Sequence, residues 1–112
     1  MSKRIVVAKF GGTSVADAAQ FRKIKEIVEA NPERRFIVVS APGKRFPDDI
    51  KVTDLLLNCY EKARAGESFD AEFEQIRQRF REIIDGLKMD FPLDSELETL
   101  RQSLKYRQRF SG

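Results

Sequence analysis

The chain has 112 residues, with 21 Lys and Arg against 18 Asp and Glu, a formal net charge of +3 and no His. That length supports one domain at most, and 35% charged with 41% hydrophobic residues describes a folded globular segment rather than a disordered one. The intermixed charges are a poor nucleic-acid signature, no apolar run approaches the ~20 residues that span a bilayer, and the lack of His removes Ser-His and Cys-His catalysis together with the commonest metal ligand, so no metal site is expected.

Residues 4 to 10 read as a buried strand, because β-branched residues dominate the run Ile5-Val6-Val7-Ala8. Lys9-Phe10-Gly11-Gly12-Thr13-Ser14-Val15 follows directly as a glycine-hinged, hydroxyl-rich turn. Without Cβ atoms, Gly11 and Gly12 are free to adopt positive φ and to bring backbone N–H groups close to an anion. Helix-like sequence resumes at about Ala16, so the turn also lies at a helix N-terminus, where free amides favour negative charge. Lys9 adds a full positive charge.

The helix covers Ala16 to Ala30, with Phe21, Ile24, Ile27 and Val28 as its apolar stripe and Asp17 in its first turn. Asn31-Pro32 stops it, and Arg35 to Ala41 returns as a second buried strand through Phe36-Ile37-Val38-Val39. A strand-helix-strand unit of this length implies parallel pairing. The Lys9 turn and the segment after Val39 should therefore share the carboxyl edge of one sheet, where ligands of such sheets bind.

Ala41 to Lys51 reads as a mobile, wet loop containing Pro42, Gly43, Lys44, Arg45, Pro47, Asp48 and Asp49. Thr53 or Asp54 then caps a helix running to about Ala65 and ended by Gly66. It carries Cys59, the sole cysteine, which cannot form an internal disulfide and reads as a buried thiol. A third helix spans roughly Asp70 to Lys88, with Phe69, Phe73, Ile76, Phe80, Ile83 and Leu87 alternating by four and three. Ser95 to Phe110 gives a fourth, with Ser95 and Glu98 placed as a capping box and Leu93, Leu97, Leu100 and Leu104 as a stripe facing the third helix. The basic stretch Arg101 to Arg109 reads as a solvated helix face rather than a phosphate-backbone stripe, so no nucleic-acid partner is expected.

Lysine ahead of the glycines and Thr-Ser behind them do not fit the Walker A order. The string resembles the Lys-Phe-Gly-Gly-Thr-Ser motif of aspartate kinases, within the amino-acid kinase superfamily. Val38-Val39-Ser40-Ala41 and Val52-Thr53-Asp54-Leu55-Leu56 resemble that family's second element. Taken alone, Ser40 suits a strand-end turn, and Thr53 or Asp54 an N-cap.

The resemblance implies a three-layer αβα fold with a parallel sheet, carbamate-kinase-like. Residues 1–112 would be an N-terminal part of the catalytic domain: a βαβ unit followed by three helices, with the downstream kinase elements and regulatory domains missing. It implies transfer of the γ-phosphoryl group of ATP to the side-chain carboxylate of L-aspartate, the first step toward lysine, threonine and methionine, with Mg²⁺, in a cytoplasmic enzyme that forms a homo-oligomer at full length. By position it places Lys9 as the catalytic charge, Lys9, Phe10, Gly11, Gly12, Thr13 and Ser14 on the nucleotide, and Ser40 and Thr53 on aspartate. The chain departs from the pattern in its longer loop at 42–51 and in Asp54, where the family usually has Asn. The added carboxylate should repel an acidic substrate unless Lys44, Arg45 or Lys51 offsets it. Other readings are an amino-acid kinase acting on glutamate, acetylglutamate or a nucleotide, and a non-catalytic α/β interaction module.

Overall fold

The computed structural model describes residues 4–110, with side chains through residue 106. Arg107 and Arg109 of the basic stretch, the Phe110 side chain and the terminal Ser111-Gly112 lie outside the described side chains. The chain divides into two compact units, Met1–Lys51 and Val52–Gly112.

The first unit is the βαβ motif. Strand β1, Val6–Phe10, pairs in parallel with β2, Arg34–Val39, and helix α1, Ala18–Ala30, connects them. A single 3-10 turn, Gly12–Val15, separates β1 from α1, so the regular helix starts later than the sequence suggests. The cause is Asp17. It does not sit inside the first turn but caps the helix in an extended conformation, its Oδ1 accepting the Gln20 N–H at 3.0 Å. At the other end the Asn31 side chain accepts the Glu33 N–H at 2.9 Å and turns the chain into β2. Arg34 then reaches back to donate to the Ile27 carbonyl.

The strands are not buried as their composition suggests. Phe36 and Val39 are 58% and 55% exposed, and Val7 of β1 is 63% exposed. An apolar parallel strand is buried only when neighbours and helices cover both its faces. Among the described residues, β2 has one strand neighbour, β1. The stripe on α1 is half-buried at Phe21, Ile24 and Val28 and exposed at Ile27, and burial in this unit lies at Phe10, Val15 and Ala16 and, in the loop after β2, at Pro42, Gly43 and Asp49.

The second unit holds most of the buried apolar side chains. Helix α2, Val52–Arg64, packs against both α3, Asp70–Gly86, and α4, Leu93–Phe110. It starts one residue before Thr53, so Thr53 and Asp54 lie within its first turn rather than capping it. Gly66, at φ +76°, ends it as expected, with the Glu67 N–H donating to the Lys62 carbonyl at 2.8 Å. Cys59 is fully buried beside Leu55 and Ala63 on the inward face.

On α3, Phe73, Ile76 and Ile83 are buried, but the stripe drifts. Ile84 is buried as well, Leu87 is half-buried, and Arg79 at 3% exposure is more deeply placed than Phe80. A straight helix at 3.6 residues per turn rotates past a strict 3.5-residue repeat in just this way. Asp70 pairs with Arg101 at 2.8 Å and Arg77 with Asp94 at 3.2 Å, an order that makes α3 and α4 antiparallel. The expected capping box does not form. Helix α4 begins at Leu93, and the Ser95 hydroxyl donates to the Pro92 carbonyl at 3.1 Å.

Candidate active site at the carboxyl edge of the sheet

The register pairs Lys9 with Val38 and Phe10 with Val39, so both strands end level. Beyond that point the ladder continues for one more bond, from the Ser40 N–H to the Phe10 carbonyl at 3.1 Å. The two exit loops then lock together. The Gly43 N–H donates to the Gly12 carbonyl at 2.8 Å. Lys9, the turn from Gly11 to Ser14, and Ser40 are thus gathered at one edge, as the strand order implies.

The glycines serve this edge differently from the expectation. Gly11 has φ −74° and ψ 177°, and Gly66 is the positive-φ glycine among the described residues, so the turn does not depend on left-handed backbone. What it needs is room. A Cβ on Gly12 would stand 3.3 Å from the Ala41 carbonyl oxygen and 3.3 Å from the Gly43 Cα. A Cβ on Gly43 would stand 2.7 Å from the Gly12 carbonyl carbon, closer than real side chains come. Gly11 meets nothing within 4 Å, so its outer side is open to a ligand.

The Ser14 N–H donates to the Gly11 carbonyl at 3.1 Å, closing the 3-10 turn. The first amides of any such turn have no intrahelical acceptor and suit an anion. Lys9 is exposed at the end of β1, beside this turn. Thr13 and Ser14 supply hydroxyls, and Phe10 is 9% exposed, so its side chain packs inward and its contribution to the edge is backbone. Ser40 is exposed. Thr53 is also exposed but belongs to the second unit, on the first turn of α2.

The loop after β2 carries an internal hydrogen-bonded ion pair. Arg45 Nε and Nη2 donate to the two oxygens of Asp49 at 2.7 and 3.0 Å, a bidentate pair, while the Arg45 backbone N–H also donates to Oδ2 at 2.9 Å. The Asp49 side chain is only 5% exposed. The Arg45 guanidinium stands 5.5 Å from the centre of the Phe46 ring. A cleft of about 420 Å³ lies beside this loop, lined by Thr13, Asp17, Gln20 and Lys44 among others. Neither Gly43 nor the Arg45–Asp49 pair was legible as a site feature. The available signals were opposite charges four residues apart around Phe46-Pro47, and a Pro-Gly step straight after a strand.

Within the second unit, the Lys62 Nζ lies 2.6 Å from Glu72 Oε2. The hydrogen bond between them, the first cause in each case, raises the Lys62 pKa and lowers that of Glu72. Burial, helped by the Glu72 carboxylate and opposed by Lys62, pushes the Cys59 thiol up to about 11.

No family model matches the chain. Over 98 residues it is 41% identical to Aspartokinase 3 of Bacillus subtilis, a match covering 88% of this chain and 21% of that protein. The chain is a homologue of the aspartate kinases. Lysine-sensitive aspartokinase 3 of Escherichia coli is 32% identical over 100 residues, 89% of this chain and 20% of the relative. The crystal structure of Clostridium acetobutylicum aspartate kinase superposes with a TM-score of 0.89 at 42% identity, covering 92% of this chain and 24% of that one. The E. coli aspartokinase III structure in complex with aspartate and ADP gives a TM-score of 0.74 at 28% identity, covering 97% of this chain and 24% of that one. This aspartate kinase homologue thus spans about a fifth of the length of the curated relatives it matches.

Proposed function

We propose that this chain is the N-terminal part of an aspartate kinase catalytic domain and supplies one wall of a site that phosphorylates the side-chain carboxylate of L-aspartate with ATP. The observation that carries the reading is the locked pair of exit loops, with the Gly43 N–H on the Gly12 carbonyl at 2.8 Å, at the edge that also bears Lys9 and Ser40. The exposed apolar faces of β1 and β2 support the view that further elements of a larger domain cover them.

A carboxylate with a pKa near 4 is already ionised at neutral pH, so the acceptor requires no general base and a chain without His is not handicapped. The chemistry needs alignment of acceptor and phosphoryl group and compensation of negative charge. Lys9 provides that charge, and the amides of the Gly11-Gly12-Thr13 turn, with the Thr13 and Ser14 hydroxyls, bind phosphate oxygens. Ser40 and Thr53 are assigned to the aspartate side. Mg²⁺ bound to the nucleotide would neutralise its phosphates. Among the described residues no group of three or more His, Cys, Asp or Glu gathers to hold a metal.

No helix among the described residues is long and apolar enough to cross a membrane. A cytoplasmic location, homo-oligomeric assembly and a place at the head of lysine, threonine and methionine synthesis belong to the same proposal. It is tested in the full-length protein by Lys9→Ala. The turnover number with L-aspartate and ATP should fall by about 10²–10³ with the fold unchanged by circular dichroism, and near wild-type turnover would overturn the assignment. Competing acceptors in the same assay separate aspartate from glutamate or acetylglutamate.

A further inference from the structure

We infer that Lys44 is a specificity-determining residue for the acceptor's carboxylate, held in place by the Arg45–Asp49 clasp; this rests on the acceptor reading above. Three cations stand in the loop after β2: Lys44, Arg45 and Lys51. Arg45 is committed to Asp49 through its Nε and Nη2. Lys51 is exposed and does not line the cleft. Lys44 does line it, facing the same space as the Thr13 turn. Its ammonium donates to the Pro47 carbonyl at 3.5 Å, the outer limit of a hydrogen bond, and among the described residues no carboxylate pairs with it.

The backbone on both sides of Lys44 is pinned. Before it, the Gly43 N–H is tied to the Gly12 carbonyl at 2.8 Å. After it, the peptide linking Lys44 to Arg45 is gripped by Asp49 Oδ2 at 2.9 Å. A long, mobile cation is thereby anchored at its Cα, which lowers the ordering cost of using it on a ligand. The cleft also presents Asp17, whose Oδ1 accepts the Gln20 N–H at 3.0 Å. Arg45 also lines the cleft, but its charge is offset by Asp49, which leaves one cation and one carboxylate on the wall, a pair that disfavours a polyphosphate and suits an amino acid, which carries both signs. The carboxylate of a dicarboxylic acceptor is therefore the group assigned to Lys44.

The experiment uses the full-length protein. Lys44→Gln should raise the KM for L-aspartate about tenfold, leave kcat within about twofold and leave the KM for ATP unchanged, while Lys51→Gln changes none of these. Asp49→Asn should reproduce the KM split and, by mass spectrometry, speed tryptic cleavage after Lys44 by at least about tenfold, because the clasp no longer holds that peptide. Arg45→Gln, read by the same cleavage after Lys44, serves if Asp49→Asn fails to fold.

A rise in the KM for ATP in place of aspartate, or no change for Lys44→Gln, overturns the inference. Unchanged cleavage with unchanged KM in both clasp variants overturns the positioning role. If the wild type shows no turnover, the kinase reading fails by itself. L-aspartate binding by calorimetry then decides this one: a tenfold loss in Lys44→Gln upholds it, and no wild-type binding overturns it.

Discussion

Gly43→Ala probes the closest backbone approach at the site. The added Cβ would stand 2.7 Å from the Gly12 carbonyl carbon and 3.0 Å from both the Gly12 oxygen and the Thr13 nitrogen. Ordinary contact begins at 3.4 Å, so the shortfall against the carbon is 3.4 − 2.7, about 0.7 Å. All three atoms are backbone, and no side-chain rotation relieves the clash. The exit loops must separate, which strains the hydrogen bond from the Gly43 N–H to the Gly12 carbonyl. Overpacking of this kind costs about 1–3 kcal/mol. Gly11→Ala is the internal control. Its Cβ meets nothing within 4 Å and its φ of −74° suits any residue, so its stability should stay within about 0.5 kcal/mol of wild type. Urea unfolding followed by circular dichroism measures both. Equal midpoints for Gly43→Ala and wild type, or equal losses for the two variants, would refute the interlocked-loop argument.

Other consequences lie in the second unit. Because the Lys62 hydrogen bond lowers the Glu72 pKa, the stability this pair confers is present above the ordinary carboxylate value of 4.5 and is lost as pH falls through the lowered value. Glu72→Gln should therefore flatten the acid limb of Tm against pH, and an unchanged limb would contradict the assignment. The raised Lys62 pKa acts at the opposite end, its contribution persisting through 10.5 and disappearing as pH rises through the folded value. Cys59, with its pKa pushed up to about 11, should be about one part in a thousand thiolate at pH 8 and should react with a thiol reagent only after denaturant is added; rapid native labelling would show the site to be open. Lys88 sits at φ +54°, just past the end of α3, where a side chain is strained. Lys88→Gly should raise stability by about 0.5–1 kcal/mol in the same urea assay.

Legibility in the sequence followed the range of the interactions involved. The β-branched runs, the Asn31-Pro32 break and the leucine and phenylalanine stripes report short-range periodicity, and they located the strands and helices to within a few residues. The parallel pairing followed from the length of the connection alone, and with it the meeting of the Lys9 turn and Ser40 at one edge. Boundaries set by side-chain hydrogen bonds were less visible. Asp17 is a cap and not a first-turn residue, and Ser95 turns its hydroxyl to Pro92 rather than to a capping box, because which group accepts depends on where the chain has already bent.

The residue order by itself determined the βαβ motif, the helices after it and the glycine turn with its lysine, since each depends on propensity and spacing within one element. Tertiary structure decided which apolar residues are covered and which cation is spent. Val39 and Phe36 have the composition of buried strand residues yet stand exposed, because burial belongs to the neighbours a strand has and not to the strand. Arg45 and Lys44 are adjacent, alike in charge and both line the cleft, yet one is bound to Asp49 and the other reaches only the Pro47 carbonyl, a distinction made only when the loop folds back and brings residue 49 to residue 45.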